Sequence, residues 1–217
     1  MTPDRAEVLA LVRSSPAYVA AHDKAAWVGI FASLHVVEDP VGARPIRSSD
    51  AGGLGRFWDA FIAPNQIEFE VEHDWVDGFD VARDVTIATM LRPGVVVRTP
   101  AHLLYETAYE DGVLKVRRMA AHWEPRPVYR QLMKPSRAHL AAAAGQFRHL
   151  FRTLGVGQTV QFVGASRFAG WRRKHRLRAR LDGVTKLIVA GKTVTATCVV
   201  DGAPAAVIDG RTFTDLA

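Results

Sequence analysis

The chain is expected to fold as an α+β protein: helices packed on one face of an antiparallel sheet, followed by a C-terminal extension. Three observations predict this. Helical patterns with capping residues fill the stretch before Pro64. A period of two then takes over, Ile67, Phe69 and Val71 alternating with Glu68, Glu70 and Glu72, the pattern of a half-exposed strand. Charge then changes sign along the chain. Residues 1–125 hold 12 Lys+Arg against 18 Asp+Glu, or −6, and residues 126–217 hold 16 against 4, or +12. Such asymmetry marks two pieces with different surfaces. The break falls near the three prolines of "EPRPVYRQLMKP". We therefore divide the chain into 1–128 and a basic extension over 129–217.

Thr2 or Asp4 can cap a first helix. Ser15 before Pro16 reads as the N-cap of a second, with proline at its first helical position. That helix is expected to run to about Ser33, with Tyr18, Trp27, Ile30 and Phe31 on its buried side. Asp50 precedes a third helix in "AGGLGRFWDAFIAP". Strands are expected over 81–91, 95–99, 103–109 and 114–123, with turns at Gly94 and in "YEDGV". In the extension, "SRAHLAAAAGQFRHLFRTLG" is a helix stopped by Gly155. The stretch after it is ambiguous between helix and irregular structure. Short strands at 187–189, 194–200 and 205–208, separated by glycine turns, form a small β-meander.

Hydrophobic content is 48%, enough for a full core. The lone Cys198 excludes an internal disulfide and a cysteine-based zinc site. The N-terminus reads as an amphipathic helix, not a secretory signal. No run approaches the roughly 18 apolar residues of a membrane span. A soluble, cytoplasmic protein is expected, one that can touch a membrane peripherally. The histidines lack metal-ligand spacing and no glycine-rich phosphate loop opens a helix, so no metal or nucleotide cofactor is implied.

The stretch "VVEDPVGARP" sets two carboxylates, Glu38 and Asp39, among apolar residues. One can face water. The other is then buried, which is costly without a partner or a task. From Ala21 to Pro45 the chain resembles, without a gap, the segment around the catalytic base of bacterial ketosteroid isomerases. "VEDPVG" is the most specific part, and "DGVLKVRRMAAHW" resembles the last strands of that family. The chain is thus similar, over roughly residues 3–125, to the ketosteroid isomerase-like and SnoaL-like proteins of the nuclear transport factor 2-like superfamily. That resemblance implies a cone-shaped fold, three helices on a curved sheet, around a hydrophobic cavity. It implies a homodimer formed through the sheet. It implies double-bond isomerisation of a steroid or similar enolisable lipid, with Asp39 as general base. That reaction needs a carboxylate to carry the proton and donors for the oxygen that becomes negative.

The donors depart from the family pattern. Ser15 fills the position of the family tyrosine; Tyr18 lies about one turn away. The second donor position falls on Glu106, or on Tyr105 if the hairpin is one residue shorter. These two face opposite sides of the sheet, so only one can serve. Candidate wall residues are Trp27, Phe31, Trp58, Phe61, Met90, His102, Met119, His122 and Trp123. His73 is expected at a rim or turn. Limonene epoxide hydrolases share the fold and place an Asp–Arg–Asp set around a water. Asp39, Arg83 and Asp84 have the right types, but adjacent Arg83 and Asp84 cannot both point inward, and an exposed ion pair is the preferred reading. A cyclase or hydrolase, or a non-catalytic binding or assembly module, therefore stand as alternatives. Residues 167–180 carry seven Lys+Arg with Phe168 and Trp171. Three readings stay open: a solvated surface balancing the acidic part, an anionic membrane surface, or nucleic acid. Lipid ranks above nucleic acid, and a membrane-proximal site suits a poorly soluble ligand.

Overall fold

The computed structural model describes residues 3–164, 174, 178 and 181–215, with side chains of 156–164 left aside. Its first helix, α1 (Arg5–Ala20), is capped by Asp4, whose Oδ1 accepts from the Ala6 amide at 3.0 Å. The helix runs straight through Pro16 instead of restarting there. A proline cannot bond the carbonyl four residues back. The Arg83 guanidinium donates to that Val12 oxygen at 3.5 Å, so the freed acceptor is satisfied from the sheet. Ser15 is consequently not a cap but a buried side chain inside α1.

α2 (Lys24–Gly29) is capped by Asp23 and stops short of the expected end near Ser33. From Phe31 the chain is already β1 (Phe31–Glu38), whose aromatic and β-branched residues pair with the sheet. The third helical stretch is α3 (Gly53–Phe57) continued by one π turn, Trp58–Ile62. The rest of the first part is strand: β2 (Ile46–Arg47), β3 (Gln66–Asp77), β4 (Asp80–Arg92), β5 (Val95–Glu110) and β6 (Val113–Trp123). They form one sheet in the order β2-β1-β6-β5-β4-β3, antiparallel except for the β1–β6 pair. β5 is a single strand where two were expected. Pro100 is tolerated because β6 ends at Trp123, opposite Ala101, leaving β5 a neighbour on one side only. The open edge is closed by α4 (Pro125–Leu132): Gln131 accepts from the Arg98 amide at 3.0 Å and donates to its carbonyl at 2.8 Å.

Alternation divides the sheet. Val81, Val85, Leu103, Tyr105, Met119 and Ala121 face the helices and build the main core with Val8, Val12 and Trp27. Ala82, Leu104 and Ala120 face the other way. That outer face is covered by the end of the chain. β7 (Asp182–Ala190), β8 (Thr193–Val200), β9 (Ala203–Ile208) and β10 (Arg211–Thr214) make a second antiparallel sheet in the order β10-β9-β8-β7. Its hairpins turn at Asp201–Gly202 and Asp209–Gly210, where both residues have positive φ, the geometry that aspartate and glycine tolerate best. Trp75, Leu104, Ile208 and Phe213 interlock between the sheets. The face through which the resemblance implies a homodimer is therefore occupied by the chain itself, and a second copy would need another surface.

Polar groups seal the same interface. Arg118 binds Glu38, Glu106 and Asp209 at 2.8–3.0 Å. A hydrogen bond from His122 and the Arg118 charge pull Asp209 down to about 2. His102 lies between Thr195 and Thr197 at 2.6 and 2.9 Å, and its burial pushes its pKa down to about 3. Lys186 reaches Asp84 and Glu72.

Between α4 and the second sheet runs α5 (Arg137–Gly164), broken at Gly155, whose φ of 76° and ψ of 170° leave the helical region where the sequence places a stop. No helix among the described residues is long and apolar enough to cross a membrane.

Candidate active site

A cavity of about 210 Å³ lies between the inner sheet face and the helices. Ile67, Phe69, Leu103 and Met119 supply its sheet wall. Val19 and Trp27 supply the helical wall. α4 and α5 lie over the mouth: Val128, Tyr129 and Leu132 of the first and Gln146, Phe147 and Leu150 of the second all line it.

The acidic pair before Pro40 splits as strand alternation requires. Glu38 faces out and accepts from Arg118 Nε at 2.9 Å. Asp39 faces in and lines the cavity. Burial raises its carboxyl from the ordinary 3.8 to about 6, and a 2.7 Å hydrogen bond from Trp123 Nε1 to Oδ1 opposes part of that rise. A second space of about 120 Å³, lined by Arg44, Asp50, Arg56 and Leu154, meets the first at Asp39, Phe57 and Phe61. The half-buried carboxyl thus stands between an apolar chamber and a smaller, mixed space that carries three charged side chains. Its loop is held from behind. The Val41 amide donates to Ala121 O at 2.8 Å. Gly42, at φ 97°, meets Gly191 so closely that a Cβ would lie 2.5 Å from the Gly191 Cα.

Hydroxyl groups face the same chamber. Tyr105 lines it and is buried, which pushes its pKa up. Its hydroxyl donates to Ser15 Oγ over a long 3.5 Å, and Ser15 Oγ also accepts from Trp27 Nε1 at 3.2 Å. A donor held by so long a bond is readily turned toward a guest oxygen. Glu106 lies on the outer face against Arg118, so of the two alternatives only Tyr105 reaches the cavity.

Of the other expected wall residues, Trp27, Phe61, Met119 and Trp123 line the cavity. Phe31 and Trp58 do not; they are buried behind it, packing on Trp27 at 4.9 and 5.6 Å. Tyr18 packs against the core outside the lining. Met90, His102 and His122 are corrected: each is one residue out of phase with lining neighbours, so each side chain leaves the inner face. Both histidines are buried against the second sheet. His73 packs tilted against Trp75 and meets Asp215 at 2.7 Å. Arg83 and Asp84 do point apart, but neither is exposed. Arg83 is held by Asp74 at 2.6 Å, and Asp84 by Lys186. Basic residues 167–180 fall outside the described residues except Lys174 and Arg178. No group of three metal-ligating side chains comes together among the described residues.

Sequence reasoning placed Ser15 at the family tyrosine position but missed Asn65 and the α4–α5 wall. The inward phase of Ile67 and Phe69 was legible in their alternation with glutamates. Which helix covers the cavity mouth leaves no local signal.

A curved six-stranded sheet with three helical segments on its concave side and an acid after the first strand decides the fold. The first part of the chain has the nuclear transport factor 2-like fold. Solved structures agree. A Δ5-3-ketosteroid isomerase from Mycobacterium sp. is 22% identical at a TM-score of 0.50, covering 56% of this chain and 95% of its own. An M. tuberculosis LEH-like epoxide hydrolase is 17% identical at a TM-score of 0.50, covering 66% and 98%. No protein-family model and no curated protein matches the chain. The isomerase covers little more than half of this chain and the hydrolase two thirds.

Proposed function

We propose that the protein is a proton-transfer enzyme of the ketosteroid isomerase type, acting on a steroid or similar enolisable lipid. The observation that carries this reading is that Asp39 and Tyr105 line one and the same apolar cavity. The Asp39 carboxylate takes a proton from the carbon between the ketone and the double bond of a β,γ-unsaturated ketone. The C–H electrons pass into a dienolate whose oxygen gains charge. Tyr105 donates to that oxygen. Ser15, already accepting two hydrogen bonds, has its own proton free for the same guest. The neutral Asp39 then returns the proton to the γ carbon, and the conjugated enone leaves with every atom retained. A base near 6 suits this work, being ionised at neutral pH yet basic enough to accept.

The hydrolase alternative fits the fold but is less favoured by the placement of its arginine. Its arginine would be Arg83, which is bound to Asp74 and absent from the cavity lining. A plugged cavity would have favoured a purely structural module; this cavity keeps about 210 Å³ of unfilled space.

The test is the ultraviolet appearance of a conjugated enone from a β,γ-unsaturated 3-ketosteroid. Tyr105→Phe is expected to lower kcat about 10²–10³-fold with little change in KM, the cost of losing one oxyanion donor. An unchanged kcat removes Tyr105 from the mechanism. No turnover by wild type, together with ligand quenching of Trp27 and Trp123 fluorescence, would leave a binding protein.

A further inference from the structure

From Pro125 to Leu181 the chain contains no Asp or Glu. The described part of that stretch is the cover of the cavity. α5 turns Phe147 and Leu150 inward. Its opposite side exposes Arg137, Leu140, Ala144, Arg148 and Phe151, a spacing of three, four, four and three that keeps one stripe along the helix. Leu140 is 52% and Phe151 43% exposed, and Met133 just before the helix is 61% exposed. Among the described residues no carboxylate pairs with Arg137, Arg148 or Arg152. Large apolar side chains interleaved with unpaired cations are what an interfacial helix presents to anionic headgroups and the acyl boundary beneath.

We propose that this outer face of α5, with Met133 before it, docks on an anionic bilayer, and that the cavity beneath it loads its lipid there. The second half rests on reading the cavity as a site for a water-insoluble ligand; the docking stands without it. Charge complementarity selects the anionic membrane, and the exposed Leu140, Phe151 and Met133 favour it over nucleic acid, whose phosphates would engage the arginines alone. The surface is defined without the basic stretch at 167–180.

The test uses the full chain and vesicles of phosphatidylcholine with or without phosphatidylserine. Sedimentation is expected only with the anionic vesicles and is expected to weaken with salt. Arg148→Ala should reduce binding about five-fold, and Leu140→Glu with Phe151→Glu at least ten-fold. Phe151→Trp, which keeps an aromatic, should add blue-shifted emission over wild type when vesicles are present. Binding untouched by the double variant, or Phe151→Trp emission unmoved by bound vesicles, overturns the proposal. So does an oligonucleotide that displaces the protein from vesicles while binding the double variant as tightly as wild type. Quenching of Trp27 and Trp123 by a dissolved steroid, without vesicles, reads the cavity separately. If it persists while docking fails, only the docking is lost.

Discussion

Asp39→Asn is expected to abolish isomerisation while making the folded protein more stable. A positioned general base contributes about 10²–10⁴-fold, and the amide cannot take the proton, so kcat for a β,γ-unsaturated 3-ketosteroid should fall by at least that factor. Packing should hold, because asparagine keeps an oxygen to accept from Trp123 Nε1. The stability gain follows from the raised pKa. Folded Asp39 titrates near 6 and the unfolded group near 3.8, so between those values the folded state binds more protons. Wild type therefore loses stability from this group as pH rises through that window, and the loss persists above it. At 1.36 kcal/mol per unit the loss at pH 7 is at most about 3 kcal/mol. The variant should escape it, melting higher than wild type at pH 7 and about level with it near pH 4. In the wild type kcat/KM should rise with pH and level off above about 6. Equal rates in the two proteins end the isomerase reading. Equal melting at pH 7 would mean that the carboxyl is well solvated, and the apolar chamber would then explain nothing about its basicity.

The inward Asp39 was legible because alternation forces Glu38 and Asp39 apart, and only one direction holds a core. The same rule exposes the misplacements. Met119 and Trp123 share a strand face, and His122 between them in phase cannot join it. Sequence order alone allowed all three to be named together. Tyr105 against Glu106 turned on a single residue in a hairpin, a register that pairing with β6 resolves at Tyr105–Met119 and that no local pattern encodes. Pro16 read as a helix start because propensity is local. The Val12 carbonyl it frees is satisfied by Arg83, 71 positions further along the chain, and only the folded sheet supplies that partner. The meander and its Asp-Gly turns were readable. That it covers the outer sheet face was not, since small residues such as Ala82 and Ala120 look the same whether they meet water or a second sheet.

Phe213→Ala should destabilise the entire protein, not the last hairpin alone. Phe213 is 1% exposed and sits in the cluster that joins both sheets, with Trp75, Leu104 and Ile208. Removing a buried phenyl group costs about 3–5 kcal/mol, the lost transfer energy plus the cavity left behind. Arg211, which lies 4.8 Å over the ring and binds Asp80 at 2.6 Å, loses its platform as well. For a chain of this size that cost lowers Tm by roughly 6–20 °C. The proposed division at residue 128 gains a sharp test here. Val41 belongs to the same cluster and lies two residues from Asp39, and Gly42 packs on the Gly191 turn. If the second sheet forms part of one cooperative unit with the first, calorimetry of the variant shows a single transition moved down. Isomerisation should then weaken too, although Phe213 lies on the far side of the sheet from the cavity, because the loop holding the base loses its backing. Two transitions, with the first unmoved and turnover intact, would make residues 129–217 an independent attachment. A backing sheet that folds with the cone explains better why the chain seals their shared face with Arg118, His102 and Lys186: each meets partners across it, and the Asp39 loop is anchored at its edge.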